Sequence, residues 1–368
     1  MDKRFKIWPD YSNCIANLPN SIMKYFGVDT VGETLPLLDK YLDREYKNVI
    51  VLLLDGMGIN IIEGNLEEDG FFRSHLAGQH SSTFPPTTVA ATTSILNGKM
   101  PNEHAWLGWD CYYPQVDKNI TVFFNLEQGT DKPAADYNVP YTYTGYENVF
   151  DRFQKAGKVA HFVAPFIEPY PNSIELITDR VREIAAGPEK KYIYAYYDEP
   201  DTIMHKTGSF CEDARNMVRN LEQQVSKMCE ELEDSLVIIT ADHGHLNTRG
   251  VCIEDYPTIM ECLVRMPSIE PRALNLFIKD GLKEQFENEF NKFFAEDFVL
   301  MTKQEVIDSQ LFGTGKEHEC FRGMLGDYLA VATGDLTIFN TKEEAEKFIS
   351  VHAGLTKEEM EIPLIVVR

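Results

Sequence analysis

Six side chains of metal-binding type lie next to apolar runs in this 368-residue chain: Asp55, Asp201, His205, Asp242, His243 and His352. Crowded carboxylates repel one another and take up protons unless a cation neutralises them. Carboxylate oxygen and imidazole nitrogen are ligands of zinc, or less often of manganese or iron. Six ligands are too many for one tetrahedral catalytic ion, so the set predicts two metal ions with three protein ligands each.

Each of these residues also has an ordinary structural explanation when taken alone. An aspartate after a strand often serves a turn or caps a helix, which applies to Asp55. Asp201 and His205 stand four residues apart, and that spacing would also suit one solvated helix face. The sequence Asp242-His243-Gly244-His245 directly after an apolar run is the more specific signal, and the four segments together favour metal binding.

A hydroxyl-rich segment, HSSTFPPTTVAATTSILNG, occupies residues 80–98. Two prolines block a helix before it and Asn97-Gly98 is a helix stop signal, so we predict a short helix from Thr87 or Thr88. Backbone N–H groups and the helix dipole at such an N-terminus favour an alkoxide and a bound phosphate. The segment therefore offers a nucleophile, although taken by itself it favours Thr87 or Thr88 as a simple helix cap.

The elements that must position these residues are predicted from periodicity. Short apolar runs at 48–54, 159–163, 191–197, 236–240 and 362–367 are typical of buried strands. An amphipathic stretch at 210–232 predicts a long helix between two of them. Alternating strands and helices predict an α/β fold with a mostly parallel central sheet and helices on both faces. Ligands of such sheets bind beyond the carboxyl ends of the strands, where the candidate residues lie.

The domain organisation is predicted from breaks in this alternation. We expect an N-terminal helical arm at 1–45, an α/β catalytic core at 46–260 and 318–368, and a small α+β insertion at 261–317. The insertion would cap the cleft. Four further residues are candidates for substrate contact, although a surface or structural role explains each as well: Lys206, His245, His318 and Arg322.

Composition excludes some classes of partner. The chain has 35 Lys and Arg against 58 Asp and Glu, a formal net charge of −23. That charge argues against a nucleic-acid polymer or an anionic membrane as partner. The seven scattered cysteines contain no CxxC pair, which favours a reducing compartment. With no signal peptide or spanning segment in the sequence, we expect a cytoplasmic protein, and the oligomeric state is left open.

Five motifs, in this order, resemble the alkaline phosphatase superfamily, and specifically its nucleotide pyrophosphatase/phosphodiesterase-like branch. They are LLLDGMG at 52–58, the segment at 84–109, YDEPDTIMHKTG at 197–208, ITADHGH at 239–245 and HAGLTKEEMEIPLIV at 352–366. The resemblance implies two metal ions, zinc or alternatively manganese. It assigns one to Asp201, His205 and His352. It assigns the other to Asp55, Asp242 and His243, together with the nucleophile hydroxyl.

The same resemblance implies a phosphothreonine intermediate. The family's nucleophile lies ten residues before a glycine that closes its helix, which selects Thr88 from Gly98. Matching on the string Thr-Phe-Pro would select Thr83 instead. We prefer Thr88, because it stands where the sequence predicts the helix to begin.

One departure from the family concerns substrate binding. Phosphodiesterase members carry an asparagine that binds a phosphoryl oxygen where this chain has Trp109. Trp109 and Trp106 could stack on a flat substituent of the substrate, or pack in the core. We expect hydrolysis of a small phosphate ester or nucleotide by a phosphodiesterase or nucleotide pyrophosphatase. A phosphomonoesterase or phosphomutase, or a non-catalytic metal- or phosphate-binding protein, is the alternative. A phosphonate hydrolase is a further alternative within the superfamily. A sulfatase is disfavoured, because Thr-Thr replaces the Cys or Ser of its nucleophile motif.

Overall fold

The computed structural model describes residues 4–368. In chain order the strands are β1 (Asn48–Leu54), β2 (Leu76–Ser81), β3 (Asp110–Tyr113), β4 (Lys118–Thr121), β5 (Leu126–Glu127), β6 (Val159–Val163), β7 (Lys191–Tyr197), β8 (Ser235–Thr240), β9 (Leu246–Asn247), β10 (Arg249–Cys252), β11 (Ser268–Glu270), β12 (Ala273–Leu276), β13 (Phe298–Thr302), β14 (Tyr328–Ala332), β15 (Leu336–Phe339), β16 (Ser350–Val351) and β17 (Glu361–Val367).

The α-helices alternate with these strands. They are α1 (Leu18–Phe26), α2 (Pro36–Asp39), α3 (Ile59–Asn65), α4 (Phe71–Ser74), α5 (Thr88–Asn97), α6 (Pro101–His104), α7 (Val139–Thr144), α8 (Val149–Lys155), α9 (Ile174–Ala186), α10 (Asp201–Thr207), α11 (Glu212–Glu231), α12 (Pro257–Met260), α13 (Lys283–Phe294), α14 (Lys303–Asp308), α15 (Phe321–Met324), α16 (Lys342–Lys347) and α17 (Lys357–Met360).

The central sheet has six strands in the order β2-β17-β8-β1-β7-β6. Strands β6, β7, β1 and β8 pair in parallel, and β17 runs antiparallel to both of its neighbours, β8 and β2. This confirms the predicted α/β class with a mostly parallel sheet. The long amphipathic helix is also confirmed, as α11. The sequence did not predict β2, whose side chains are largely exposed or half-buried and so leave no apolar run.

Strand β1 lies at the centre of the sheet, and all seven of its residues are buried. A strand covered on both faces must be apolar throughout, which explains the unbroken run NVIVLLL. Its register aligns Leu54 with Tyr197 of β7 and Leu53 with Thr240 of β8. The three strands therefore end level with one another, and the residues that follow them meet at one edge of the sheet.

The second sheet has seven strands in the order β13-β14-β12-β11-β3-β4-β5. Alternate residues of β14 pack into two different hydrophobic clusters, Leu329 and Val331 into one and Ala330 and Ala332 into the other. Both faces of this sheet are thus covered, as strand alternation requires. The sheet takes strands from within the predicted insertion at 261–317 and also from residues 110–127 and 328–332.

The predicted domain boundaries stay predictions. Residues 1–3 of the predicted arm lie outside the described residues, and the rest of the arm carries α1 and α2. Within residues 4–368, no helix is long and apolar enough to cross a bilayer. All seven cysteines fall in that range, and none of them forms a disulfide. The cytoplasmic location remains a prediction.

Candidate metal centre

Three aspartates converge at the carboxyl edge of the central sheet. Asp55 follows β1 directly, Asp242 comes two residues after β8, and Asp201 opens α10 after β7. Backbone hydrogen bonds hold the loops together, because the Asp55 N–H donates to the Tyr197 carbonyl and the Asp201 N–H donates to the Asp55 carbonyl. The level ends of the three strands therefore bring together carboxylates that are far apart in sequence.

One group of side chains surrounds His243. Its Nε2 atom lies 3.3 Å from Asp55 Oδ1 and 3.5 Å from Asp242 Oδ2. The same nitrogen lies 3.3 Å from the hydroxyl oxygen of Thr88, the first residue of α5. Asp55, Asp242 and His243 are almost completely buried. The structure thus brings the Asp55, Asp242, His243 and Thr88 candidates to one point.

A second group surrounds Asp201. The Oδ1 atom of Asp201 lies 3.3 Å from His205 Nε2, 3.7 Å from His352 Nε2 and 2.6 Å from His245 Nε2. One ligand atom from each of these four residues lies within 4.8 Å of the others, and Asp201 also falls within that distance of Asp55 and His243. The two groups therefore adjoin one another through Asp201.

Hydrogen bonds on the far side of three imidazole rings fix their orientation. The Nδ1 atoms of His205, His243 and His352 face the carbonyl oxygens of Ser350, Gly244 and Pro86 at 2.7, 3.0 and 3.1 Å. A carbonyl only accepts, so each Nδ1 carries a proton, and Nε2 is the atom that each ring directs at the centre, where it can offer a lone pair to a cation. Metal-ligating histidines are typically held by such partners.

Two carboxylate oxygens at the centre fit a cation. Asp242 Oδ1 accepts from the backbone N–H groups of Gly56 and His243, whereas Asp242 Oδ2 is buried with no hydrogen-bond partner among the described residues. Asp55 shows the same asymmetry, since Oδ2 accepts from the Tyr196 hydroxyl and Oδ1 has no described partner. Buried charge without a partner is costly. The aspartate and histidine donor set is therefore consistent with a metal site.

Burial and close-lying charges shift the pKa values of several groups in the centre. Burial, and next the neighbouring Asp55 charge, raise the pKa of Asp242 well above its ordinary value. Burial alone would lower the pKa of His243, but the Asp242 charge and the contacts with Asp55 outweigh it and raise that pKa to about 10. Burial lowers the pKa of His352 well below its ordinary value.

In protein stripped of metal by a chelator, we expect the free energy of unfolding to fall as the pH rises from about 6.5 to about 10. His243 and Asp242 lie in contact, and together they keep a proton in the folded state that an unfolded histidine loses near pH 6.5. The folded state therefore binds more protons than the unfolded state, and its stability must decrease with pH. Below pH 6.5 the lowered pKa values of His245 and His352 act in the opposite direction.

Urea unfolding in EDTA at about pH 6.5, 8 and 9.5 measures this dependence. A His243→Gln variant should show a flatter profile over the same range, because its side chain no longer exchanges a proton. Stability that rises with pH in the chelated wild-type chain would contradict the assignment of these shifts.

The predicted nucleophile segment contains α5, and its three candidate threonines lie in different surroundings. Thr87 and Thr88 both line the cavity next to the metal centre, and the Thr88 hydroxyl is the one that faces His243. Thr87 is the N-cap residue, but its hydroxyl donates to Glu270 Oε1 instead of capping the helix. Thr83 is fully buried, and its hydroxyl has no hydrogen-bond partner among the described residues.

The cavity of about 310 Å³ extends from the metal centre to the second sheet. Trp109 lines it with a ring that is 41% exposed and that makes edge contacts with Phe123 and Phe124. Trp106 is 1% exposed and donates its ring N–H to the Thr144 carbonyl, so it belongs to the core. The two tryptophans that the sequence could not separate thus have different roles.

The other predicted substrate contacts are dispersed. His318 and Arg322 are not among the residues that line the cavity, and Arg322 pairs with Glu317. Lys206 is exposed on α10 and does not line it either. His245 instead lies in the metal centre, which its place in the ADHGH motif could have indicated. Sequence reasoning missed Glu270, which lines the cavity and accepts from the Trp109 N–H, because an isolated glutamate in a strand carries no signal.

Solved structures of other proteins share this fold. The murine ectonucleotide pyrophosphatase/phosphodiesterase 5 superposes with a TM-score of 0.66 at 15% identity, over 86% of this chain and 87% of that one. An inactive threonine-to-alanine variant of the murine protein in complex with AMP gives a TM-score of 0.65 at 15% identity, over 87% of each chain. Phosphonoacetate hydrolase from Sinorhizobium meliloti 1021, in complex with phosphonoformate, gives 0.68 at 14% identity over 93% of each chain.

A family model also matches the sequence itself. The model of type I phosphodiesterase/nucleotide pyrophosphatase matches residues 49–273, which is more than half of the chain and includes Asp55, Thr88, Asp201 and Asp242. The chain therefore belongs to the type I phosphodiesterase/nucleotide pyrophosphatase family of phosphoric ester hydrolases, within the alkaline phosphatase superfamily.

Proposed function

We propose that the chain hydrolyses small phosphodiesters, nucleotide pyrophosphates among them, through a phosphothreonine on Thr88. One observation carries the proposal. The Thr88 hydroxyl stands at the start of a ten-residue helix, faces the buried Asp55, Asp242 and His243 group, and lines the adjoining cavity. A hydroxyl there meets both the nucleophile-activating groups and the space that a substrate would fill.

The Thr88 oxygen attacks phosphorus and loses its proton to solvent. The bond from phosphorus to the ester oxygen breaks, and the departing alcohol or nucleotide takes up a proton. Backbone N–H groups of the first turn of α5 bind the phosphoryl oxygens. The phosphothreonine keeps the second ester substituent of the substrate. A water molecule then attacks its phosphorus, the bond to the Thr88 oxygen breaks, that oxygen takes up a proton, and a phosphomonoester is released.

Two divalent cations, most simply zinc and alternatively manganese, fit the donor set. Asp55, Asp242 and His243 would hold one of them, with Thr88 beside it. Asp201, His205 and His352 would hold the other. Such ions supply Lewis-acid stabilisation of the charge that develops on the attacking and leaving oxygens.

The murine relative supports a threonine nucleophile and a nucleotide ligand, because its threonine-to-alanine variant is described as inactive and is in complex with AMP. The cavity of this chain adds a restriction. Among the described residues that line it there is no lysine or arginine, whereas Asp110, Glu270 and Glu344 are present. A substituent that enters this space should therefore carry no negative charge of its own, and the exposed Trp109 ring suits a flat group.

A substrate panel with metal analysis tests the proposal. We expect zinc-loaded protein to hydrolyse bis(p-nitrophenyl) phosphate at least about 10-fold faster in kcat/KM than p-nitrophenyl phosphate, a difference of about 1.4 kcal/mol in transition-state stabilisation. The reason is that the cavity accommodates a second, uncharged ester substituent. Faster hydrolysis of the monoester would favour the phosphomonoesterase alternative.

Trp109→Ala serves as the matched test of the cavity. It should raise the KM for the aryl diester by roughly 5- to 20-fold with little change in kcat, since stacking contributes mainly to binding. Phe124→Ala is the control, because Phe124 is exposed and contacts Trp109 but does not line the cavity. Tight phosphate binding without hydrolysis of any ester in the panel would show that the chain is a phosphate-binding protein and not an enzyme.

A further inference from the structure

His245 makes the shortest contact that Asp201 has with any imidazole. The distance from His245 Nε2 to Asp201 Oδ1 is 2.6 Å, against 3.3 Å from His205 and 3.7 Å from His352. The His245 ring is fully buried. The three-ligand scheme for each cation leaves this residue without a role.

The partner of Nδ1 distinguishes His245 from the other three histidines. Their Nδ1 atoms face carbonyl oxygens, which forces the proton onto Nδ1 and leaves Nε2 as the lone pair. His245 Nδ1 faces the Ser350 hydroxyl at 2.9 Å, and a hydroxyl can donate. His245 can therefore accept at Nδ1 and carry its proton on Nε2, directed at Asp201 Oδ1.

The surrounding structure holds this arrangement in place. Ser350 Oγ also lies 2.6 Å from Ser209 Oγ, so the hydroxyls continue the hydrogen-bonded chain away from the metal centre. The His245 carbonyl accepts from the Asn60 side chain at 2.7 Å. A Cβ atom on Gly56 would come within 2.9 Å of the His245 ring and 3.1 Å of Asp201, so this glycine allows the close approach.

We propose that His245 is a positioning residue: its Nε2–H donates to Asp201 Oδ1 and fixes that carboxylate for the cation that Asp201, His205 and His352 would hold. The inference rests on the proposed two-metal function, but it concerns cation binding and not turnover. Carboxylate ligands are commonly held by such outer hydrogen bonds, and their loss costs about 10- to 100-fold in metal affinity.

The test measures cation binding by competition with a chromophoric chelator, and coordination by the visible absorption of Co²⁺-loaded protein. We expect His245→Gln, whose amide N–H can replace Nε2–H, to bind two cations per chain with affinity within about 3-fold of wild type and an unchanged cobalt spectrum. His245→Ala should lower the affinity for the cation that Asp201, His205 and His352 would hold by about 10- to 100-fold. His205→Gln is the matched control, and it should lose that cation or shift the cobalt bands.

A His245→Gln protein that behaves like His205→Gln would show that His245 is itself a ligand and would overturn the proposal. Wild-type affinity in His245→Ala would overturn it as well. If His245→Ala does not fold, Ser350→Ala replaces it. That variant removes the donor to His245 Nδ1 together with the contact to Ser209, and it should weaken binding of the cation held by Asp201, His205 and His352 by several-fold. A chain that binds cations in this pattern but cleaves no ester would refute the proposed function and leave this inference intact.

Discussion

Replacement of Thr88 by alanine is expected to lower kcat by at least about 10³-fold, because an enzyme that loses its nucleophile retains only what binding and electrostatics supply. The fold should persist. Thr88 is the first residue of α5, its side chain is half-buried, and its hydroxyl makes its contact with His243 and not with the helix backbone. Cation content should stay close to that of the wild-type protein.

Steady-state kinetics of three variants make this a sharp test. Thr88→Ser keeps a hydroxyl on the same carbon, Cβ, and should be faster than Thr88→Ala but slower than the wild-type protein. Thr83→Ala is the matched control, because Thr83 is the other threonine that the motif could select, yet it is buried and does not line the cavity. The Thr88 assignment is wrong if Thr83→Ala is inactive while Thr88→Ala keeps its turnover.

Trapping of the intermediate adds a direct observation. Wild-type protein quenched in acid during turnover of a diester should yield the tryptic peptide 74–99 with the phosphoryl group and its remaining ester substituent on Thr88, detected by tandem mass spectrometry. The same peptide from the Thr88→Ala protein should carry none. Phosphate on Thr87 would assign the nucleophile to the neighbouring residue.

The second large effect is expected from Asp242→Asn, which should abolish the binding of one cation and lower kcat/KM by at least about 10³-fold. The amide oxygen can still accept from the Gly56 and His243 N–H groups, as Asp242 Oδ1 does. The group at the position of Oδ2 changes from a charged acceptor to an NH₂ donor. That oxygen has no described hydrogen-bond partner, so the substitution removes the cation ligand and the charge that faces His243 Nε2 at 3.5 Å, and it leaves the two backbone hydrogen bonds in place.

The effect of Asp242→Asn on stability should depend on metal. In EDTA the variant should be about as stable as the wild-type chain, because relief of the repulsion from Asp55 offsets the lost attraction to His243. With zinc at about 1,000 times the dissociation constant of each site, the wild-type protein should gain roughly 8 kcal/mol, or about 10 °C in Tm, and the variant, with one site, about half of that.

Differential scanning calorimetry in EDTA and in zinc measures both effects. Asp198→Asn is the control, since Asp198 also follows β7 at this edge of the sheet but is exposed and belongs to neither cluster. It should keep two cations and most of the activity. An Asp242→Asn protein that binds two zinc ions would exclude Asp242 as a ligand.

The sequence by itself determined the buried strands. The run NVIVLLL fits only a strand covered on both faces, and the structure confirms it as β1 with the same limits. The helix at the hydroxyl segment was equally predictable, because prolines and Asn97-Gly98 mark its two ends, and it forms as α5. These features depend on residues close together in the chain, so periodicity and stop signals suffice to predict them.

Only the tertiary structure decided which side chains meet. His245 lies against Asp201, and Glu270 accepts a hydrogen bond from the Thr87 hydroxyl. Trp109 lines the cavity, whereas Trp106 is buried. All of these positions depend on contacts between segments that are distant in sequence. The register of β1 with β7 and β8 sets the first contact, and the pairing of β11 with β3 brings Glu270 to Trp109; both depend on backbone hydrogen bonds, which do not depend on side-chain type. Local sequence therefore specifies the strands and their chemistry, whereas the pairing of the strands determines the geometry of the centre.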